Sequence, residues 1–420
     1  MLARVRLRLT LSLLLLLAAA SLSFARPEAD CAILFIGDGM GPNQVAMTGL
    51  AKGAPLTFQR FPYSGTVTTI AVDGETTDSA AAGTALATGT KTKDGMLSVN
   101  PGGQRLETIL ERSLRRGKSA GVISNDSLWG ATPASFAAHA ASRGESSLIA
   151  AQMAKSGAMV MMGTGKAQFL PTSAGGKRSD NLNLIDWVQR SGYDVVYNRT
   201  QLLASQKLNL VGLFDDESDD APQLVDCVKA ALLRLNADRR GFFFIVEQAR
   251  VDWEPGDPAA VQADVLELEA AVAAAQEFGR ERGRTLVVVT SDHETGGCMI
   301  DDPAKVTQLR GMTGRSWQLV DRLNKERTNV AEVLAAAGIA NPTPEEIAKV
   351  KEAKDAGDAI GAIESARIGV RWTSDGDHTK TPVRVFAWGP GADRFTGALD
   401  NTQIPTKIAE ALGIGPIPAR

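Results

Sequence analysis

Carboxylates and histidines recur just after short apolar runs in this chain. Ala32 to Ile36 leads into Gly37-Asp38-Gly39-Met40-Gly41, and Phe242 to Val246 leads into Glu247 and then Asp252. Val287 to Thr290 leads into Asp292-His293, and Asp375-Gly376-Asp377-His378-Thr379 precedes the strand-like Val383 to Trp388. A lone Asp at such a place ordinarily caps a helix or makes a turn. Its repetition beside histidine points instead to a metal cluster. The chain has only three histidines, and two of them, His293 and His378, adjoin aspartates. His139 lies in the helical Ala134 to Ala141 with no acidic neighbour and is expected to be structural.

A nucleophile is offered by Thr77-Asp78-Ser79-Ala80-Ala81, where a polar turn opens an Ala-rich helix. Free N–H groups and the helix dipole favour negative charge there. Pattern alone favours Asp78 or Ser79 as a plain N-cap. Metal activation of Ser79 fits the inventory better than a Ser–His–Asp triad, because no Gly-x-Ser-x-Gly elbow is present. Gly163-Thr164-Gly165-Lys166 lacks the upstream glycine of a phosphate loop, and no sulfatase-type Cys-x-Pro-Ser-Arg occurs.

Parallel strands covered on both faces read as continuous apolar runs. Ala32 to Ile36, Ala120 to Ile123, Phe242 to Val246 and Thr285 to Thr290 are such runs. Helical patterns lie between them at Leu106 to Arg116, Ser146 to Lys155, Pro222 to Asn236 and Pro258 to Arg282. The alternation predicts an α/β three-layer sandwich with a mainly parallel central sheet flanked by helices. Ligands of such sheets bind outside the carboxyl ends of the strands, where the acidic residues fall. No linker or repeat divides the chain, so residues 26–420 are read as one domain. A helical insertion is expected at about 301–364, where strand signals give way to Lys/Glu/Ala composition.

The 420 residues are 44% hydrophobic and 22% charged, which excludes disorder, coiled coil and collagen. A net charge of −3 is too balanced for bulk nucleic-acid binding. Arg4, Arg6 and Arg8, the apolar run Leu9 to Ala20 and Ser23-Phe24-Ala25 read as a Sec-type signal peptide over residues 1–25. The run is too short for a stable membrane anchor. The expected location is the periplasm or the medium. Cys31, Cys227 and Cys298 have no CxxC spacing, allow at most one disulfide and are read as small buried hydrophobes.

Taken together, Phe35-Ile-Gly-Asp38-Gly-Met-Gly41, Thr77-Asp78-Ser79-Ala-Ala, Ala131-Thr132-Pro133-Ala134 with Arg143, Val246-Glu247, Thr290-Ser-Asp292-His293-Glu-Thr-Gly-Gly297 and Asp377-His378-Thr379 resemble the alkaline phosphatase family. The blocks keep the family's order. The resemblance implies hydrolysis of small phosphate monoesters through a phosphoserine on Ser79. Arg143 would clamp two phosphate oxygens and Asp78 would orient Arg143. One zinc would be held by Asp38, Asp292 and His293, and the other by Asp252 and His378. Asp38, Thr132 and Glu247 would hold magnesium. Family members are commonly dimers, so the resemblance allows a homodimer, although no interface signature is legible.

Two positions depart from the family. A second histidine usual four residues after the aspartate matching Asp252 is here Gly256, so Glu254 or Asp257 is expected to reach the metal. That carboxylate-richer site would shift metal preference, for example to cobalt. Gly130 stands where the family usually has an acidic or His residue beside the magnesium, which puts magnesium retention in question. Two other readings use the same residues: a phosphodiesterase or phosphotransferase on the same metal pair, and a non-catalytic homologue that binds phosphate or metal.

Overall fold

The computed structural model describes residues 28–417 apart from 216 and 375; the segment read as a signal peptide lies outside them. In chain order the strands are β1 (Cys31–Gly37), β2 (Tyr63–Thr68), β3 (Ser119–Ser127), β4 (Val160–Thr164), β5 (Asp194–Val196), β6 (Leu210–Leu213), β7 (Phe242–Gln248), β8 (Thr285–Thr290), β9 (Glu294–Thr295), β10 (Cys298–Ile300), β11 (Val370–Trp372), β12 (His378–Thr379), β13 (Val383–Trp388) and β14 (Gly397–Asp400). Ten of them form one sheet in the order β14-β2-β13-β8-β1-β7-β3-β4-β6-β5. Neighbours pair in parallel throughout, except that β13 runs against both β2 and β8.

Alternation along the central strands builds two cores. Ile33 and Phe35 of β1, Phe242 and Phe244 of β7, and Val287 and Val289 of β8 face one core. Ala32, Leu34 and Ile36, Phe243 and Ile245, and Leu286 and Val288 face the other. Each side chain of this size contributes about 1.5–3 kcal/mol when fully buried, so neither face tolerates a charge. The first core is covered by helices Pro42–Lys52, Leu224–Leu235 and Pro258–Arg282. Helices Ser79–Thr88, Ile109–Arg115, Ala131–Ala137, Ser146–Ala154 and Gln403–Ala411 cover the second. The expected three-layer α/β sandwich is the fold.

Local chemistry sets the helix ends. The longest helix starts at Pro258, with Asp257 Oδ1 accepting the Ala260 N–H at 2.9 Å, and ends at Gly283. The helix expected from Leu106 begins later, at Ile109, because Thr108 and Glu111 close a capping box there. Between β10 and β11 the described residues form helices Ser316–Val320, Val330–Ala336, Pro344–Glu352 and Ala356–Ile368 and no strand. Leu319, Val330, Ile360 and Ile363 from this stretch pack into the first core. β10 and β11 pair antiparallel at its base. All three cysteines are buried and free. Among the described residues no helix is long and apolar enough to cross a membrane.

Candidate active site and metal centre

The adjacent strands β8, β1 and β7 end at one edge of the sheet, and their carboxyl ends deliver Asp292 and His293, Asp38, and Glu247. His293 Nε2 lies 3.3 Å from Asp38 Oδ1 and 3.3 Å from Asp292 Oδ2. Ser79 Oγ is 3.4 Å from the same nitrogen. Both of those carboxylate oxygens are buried and accept no hydrogen bond. Asp292 spends its other oxygen on the N–H groups of Gly39 at 3.2 Å and His293 at 2.9 Å, which aims Oδ2 at the cluster. His293 Nδ1 meets Thr295 Oγ1 at 3.2 Å, so that nitrogen carries the proton and Nε2 presents its lone pair.

Burial, reinforced by the charges of Asp292, Asp252 and Glu247, raises the Asp38 carboxyl well above its ordinary range. Burial also lowers His293, against the pull of Asp292. Crowded buried acids with orphaned oxygens converging on an imidazole nitrogen fit a divalent cation, which relieves both the repulsion and the desolvation.

A second group joins Asp252, His293 and His378. β12 pairs antiparallel with β9, setting His378 opposite Thr295. His378 Nδ1 donates to the Thr77 carbonyl at 2.9 Å, which turns Nε2 toward Asp252 Oδ1 at 3.5 Å. Burial alone would raise the Asp252 carboxyl, but the hydrogen bond with His378 and the charge of His293 bring it down to about 2. His378, opposed by burial and favoured by Asp252 and the Thr77 carbonyl, is pushed up to about 9. Thr295 Oγ1 donates to Asp252 Oδ1 and so ties the two groups together. Gly39 has φ 73°, and a Cβ there would sit 2.9 Å from the Asp252 backbone. Only glycine lets the two segments approach this closely.

Glu247 is pushed up to about 8 by burial, offset in part by a hydrogen bond from Ser124. Ser124 faces it across the β3–β7 ladder. The buried Thr132 hydroxyl, on helix Ala131–Ala137, faces Glu247 and also holds its carboxyl down.

Asp78 serves two ends at once. Its Oδ1 accepts from Ala81 N–H at 2.8 Å as the helix cap, while Oδ2 accepts from Gly95 N–H at 3.1 Å and from Arg143 Nη1 at 3.1 Å. The capping expected from pattern and the orienting contact expected from the resemblance therefore coexist. Ser79 is the first residue of the helix it opens and is 4% exposed. The Arg143 side chain remains 46% exposed, open to an incoming anion.

Glu254 and Asp257 lie outside both groups of ligand atoms. Asp257 is consumed by the Ala260 cap and by the Ser316 N–H at 2.6 Å. Glu254 Oε1 lies 3.7 Å from Arg315, and the carboxyl is pushed up to about 7 by burial and by its hydrogen bond with Asp257. Glu254 thus faces Arg315, at the start of helix Ser316–Val320. Behind it Glu364 is fully buried against Asp257 and the Ala259 backbone. His139 is structural as expected, holding the Ser98 carbonyl at 2.8 Å and Glu111 at 3.0 Å. Sequence reasoning passed over Thr295 and the Thr77 carbonyl. The signal for Thr295 was its place two residues after His293, within reach of the ring's rear nitrogen.

A sequence profile described as Alkaline phosphatase matches residues 29–414. The chain belongs to the alkaline phosphatase family. Phosphomonoester hydrolysis is accordingly its reaction. It is 32% identical over 418 residues to alkaline phosphatase 3 of Bacillus subtilis (strain 168), covering 90% of this chain and 88% of that one. With the alkaline phosphatase of Escherichia coli (strain K12) it shares 27% identity over 447 residues, 91% of this chain and 86% of that one. The cold-active alkaline phosphatase of Shewanella sp. superposes with a TM-score of 0.82 at 28% identity, covering 91% of this chain and 99% of that chain. The Thermus thermophilus alkaline phosphatase gives 0.82 at 26% identity, with 94% and 93% covered.

Proposed function

We propose that this alkaline phosphatase transfers the phosphoryl group of a monoester to Ser79 Oγ and then to water. The observation that carries this reading is the 3.4 Å separation of Ser79 Oγ from His293 Nε2, within the same cluster as Asp38 Oδ1 and Asp292 Oδ2. Asp38, Asp292 and His293 would hold one zinc, and Asp252 with His378 the other, a pair of sites with mixed carboxylate and imidazole donors. Asp38, Thr132 and Glu247 would hold magnesium, an oxygen-only set suited to that ion. A solved variant of the alkaline phosphatase from the Antarctic bacterium TAB5 has magnesium bound. When bound, the metals lower the pKa of the serine hydroxyl and of water and offset the charge of the attacking and leaving oxygens.

The chain's own groups do the rest. Arg143, fixed by Asp78, takes two nonbridging oxygens of the phosphate, a fit that favours monoesters over diesters. Ser79 Oγ forms its bond to phosphorus as the bond to the alcohol oxygen breaks in line, and the alcohol departs with a proton. Water then cleaves the serine–phosphate bond, regenerates the hydroxyl and releases inorganic phosphate. Asp252 and His378, with His293 beside them, would hold a metal whose preference differs from that of the other site, with cobalt a competitor to zinc. Residues 1–25, read as a signal peptide, support an exported enzyme in the periplasm or the medium.

The test is acid quench of the metal-loaded protein during turnover of a chromogenic monoester, followed by mass mapping. Phosphate on Ser79, absent in Ser79→Ala, is the expected result. Metal-dependent turnover with no phosphoserine at any pH would overturn the covalent route.

A further inference from the structure

A groove of about 1040 Å³ is lined by chain neighbours of Asp252 and His378, though by neither of the two themselves. One wall begins at Trp253, directly after Asp252, and returns through Trp372 to Gly376, two residues before His378. Trp317, Asp321 and Asp358 of the inserted helices form the other. Gly256, where the resemblance placed a histidine, lines the groove, and a Cβ there would meet nothing within 4 Å. The missing side chain is therefore what leaves this end roomy.

The lining is chemically one-sided. Its only base is Arg371, and that guanidinium is held by Asp301 at 3.0 Å. Asp321 and Asp358 are exposed and have no basic partner among the described residues. Trp253 and Trp317 are 47% and 52% exposed, an uncommon placement for two large aromatic rings in one cleft. Ser79 lies on the His293 side of the centre, so in-line displacement sends the leaving oxygen toward Asp252 and His378, where the groove starts.

We propose that this groove receives the alcohol part of the substrate and selects monoesters whose alcohol carries a flat ring together with an amine or guanidine. The proposal rests on the phosphomonoesterase reading above. The Trp317 face takes the ring and attracts the cation, the Trp253 ring already carrying the Arg250 guanidinium 5.4 Å from its centroid, and Asp321 with Asp358 adds the complementary charge.

The test compares 4-(aminomethyl)phenyl, phenyl and 4-(carboxymethyl)phenyl phosphates at low salt, alongside calorimetric binding of 4-(aminomethyl)phenol. The cationic ester should exceed the anionic one in kcat/KM by about tenfold. In Asp321→Asn/Asp358→Asn the difference should shrink to about twofold, with phenyl phosphate turnover unchanged, and binding of the phenol should weaken in parallel. Trp317→Ala should lower kcat/KM for all three aryl esters and leave glycerol phosphate unaffected. Equal kcat/KM for the three esters, or a preference that survives in the double variant, overturns the proposal. No turnover of any ester by metal-loaded protein removes the phosphomonoesterase reading instead; absence of phenol binding then overturns the groove on its own.

Discussion

The imidazole of His293 is stacked on that of His378, ring centroids 3.5 Å apart and planes inclined by 21°. Each ring is pinned from behind, His293 by Thr295 and His378 by the Thr77 carbonyl, so both Nε2 atoms face carboxylates. The arrangement couples metal binding to protons. With no ion bound, His378 is held up to about 9, so below that pH an incoming metal must displace a proton. Affinity at the Asp252–His378 position should rise about tenfold per pH unit from 7 toward 9 and level off above it. Calorimetry of zinc binding in two buffers of different ionisation enthalpy should report about one proton released at pH 7.5 from this group; no release would contradict the arrangement.

Ser79→Ala removes a buried hydroxyl whose contact of note is with His293. Turnover should fall by about a thousandfold or more while zinc content, measured by elemental analysis, stays at the parent value. A loss of zinc together with activity would make Ser79 a structural element of the centre.

The two duties of Asp78 can be separated. Asp78→Asn keeps an oxygen for the Ala81 N–H but loses the charge that holds Arg143 and the acceptor of the Gly95 N–H, so KM should rise about tenfold with a small fall in melting temperature. Asp78→Ala should in addition cost about 1 kcal/mol of stability. Thermal melts and steady-state kinetics of the pair decide the matter.

Because Glu254 faces Arg315 and lies outside the ligand groups, Glu254→Gln should leave metal stoichiometry unchanged, whereas His378→Ala should lose one ion per chain. Elemental analysis after exhaustive dialysis distinguishes them, and loss of an ion from the Gln variant would return Glu254 to the metal.

Glu364 is fully buried and is pushed up to about 9 by burial and then by the neighbouring charge of Asp257. The folded chain thus keeps a proton that the unfolded chain gives up above about 4.5. Its contribution to stability is present below that pH and is lost as pH rises toward 9. Glu364→Gln should stabilise the protein by on the order of 3 kcal/mol at pH 8 and by little at pH 5. Urea denaturation at the two pH values measures the difference, and equal midpoints for parent and variant at pH 8 would rule it out.

Much of the fold was legible because its signals are local. The Pro258–Arg282 helix could be read end to end from its proline, its capping aspartate and Gly283, and the central strands from their unbroken apolar runs. Asp38, Asp292 and His293 were legible as strand-end residues. What was not legible depends on distant partners. β9 and β12 have two residues each, too short to carry any periodicity, yet they place His378 against His293. The approach of Glu254 to Arg315, whose guanidinium is held by Asp264, likewise depends on a residue sixty-one positions away and could not be read from the chain around Asp252.

The tie between His378 and Thr77 spans 301 residues, whereas Asp38, Asp292 and His293 follow strands that are neighbours in the sheet. The β1–β8 pairing closes a loop of similar length, but six residue pairs hold it, where two hold β9 to β12. A chain emerging from synthesis through β9 already contains Asp38, Ser79, Asp292 and His293, whereas His378 is added only after the four helices between β10 and β11 have been made.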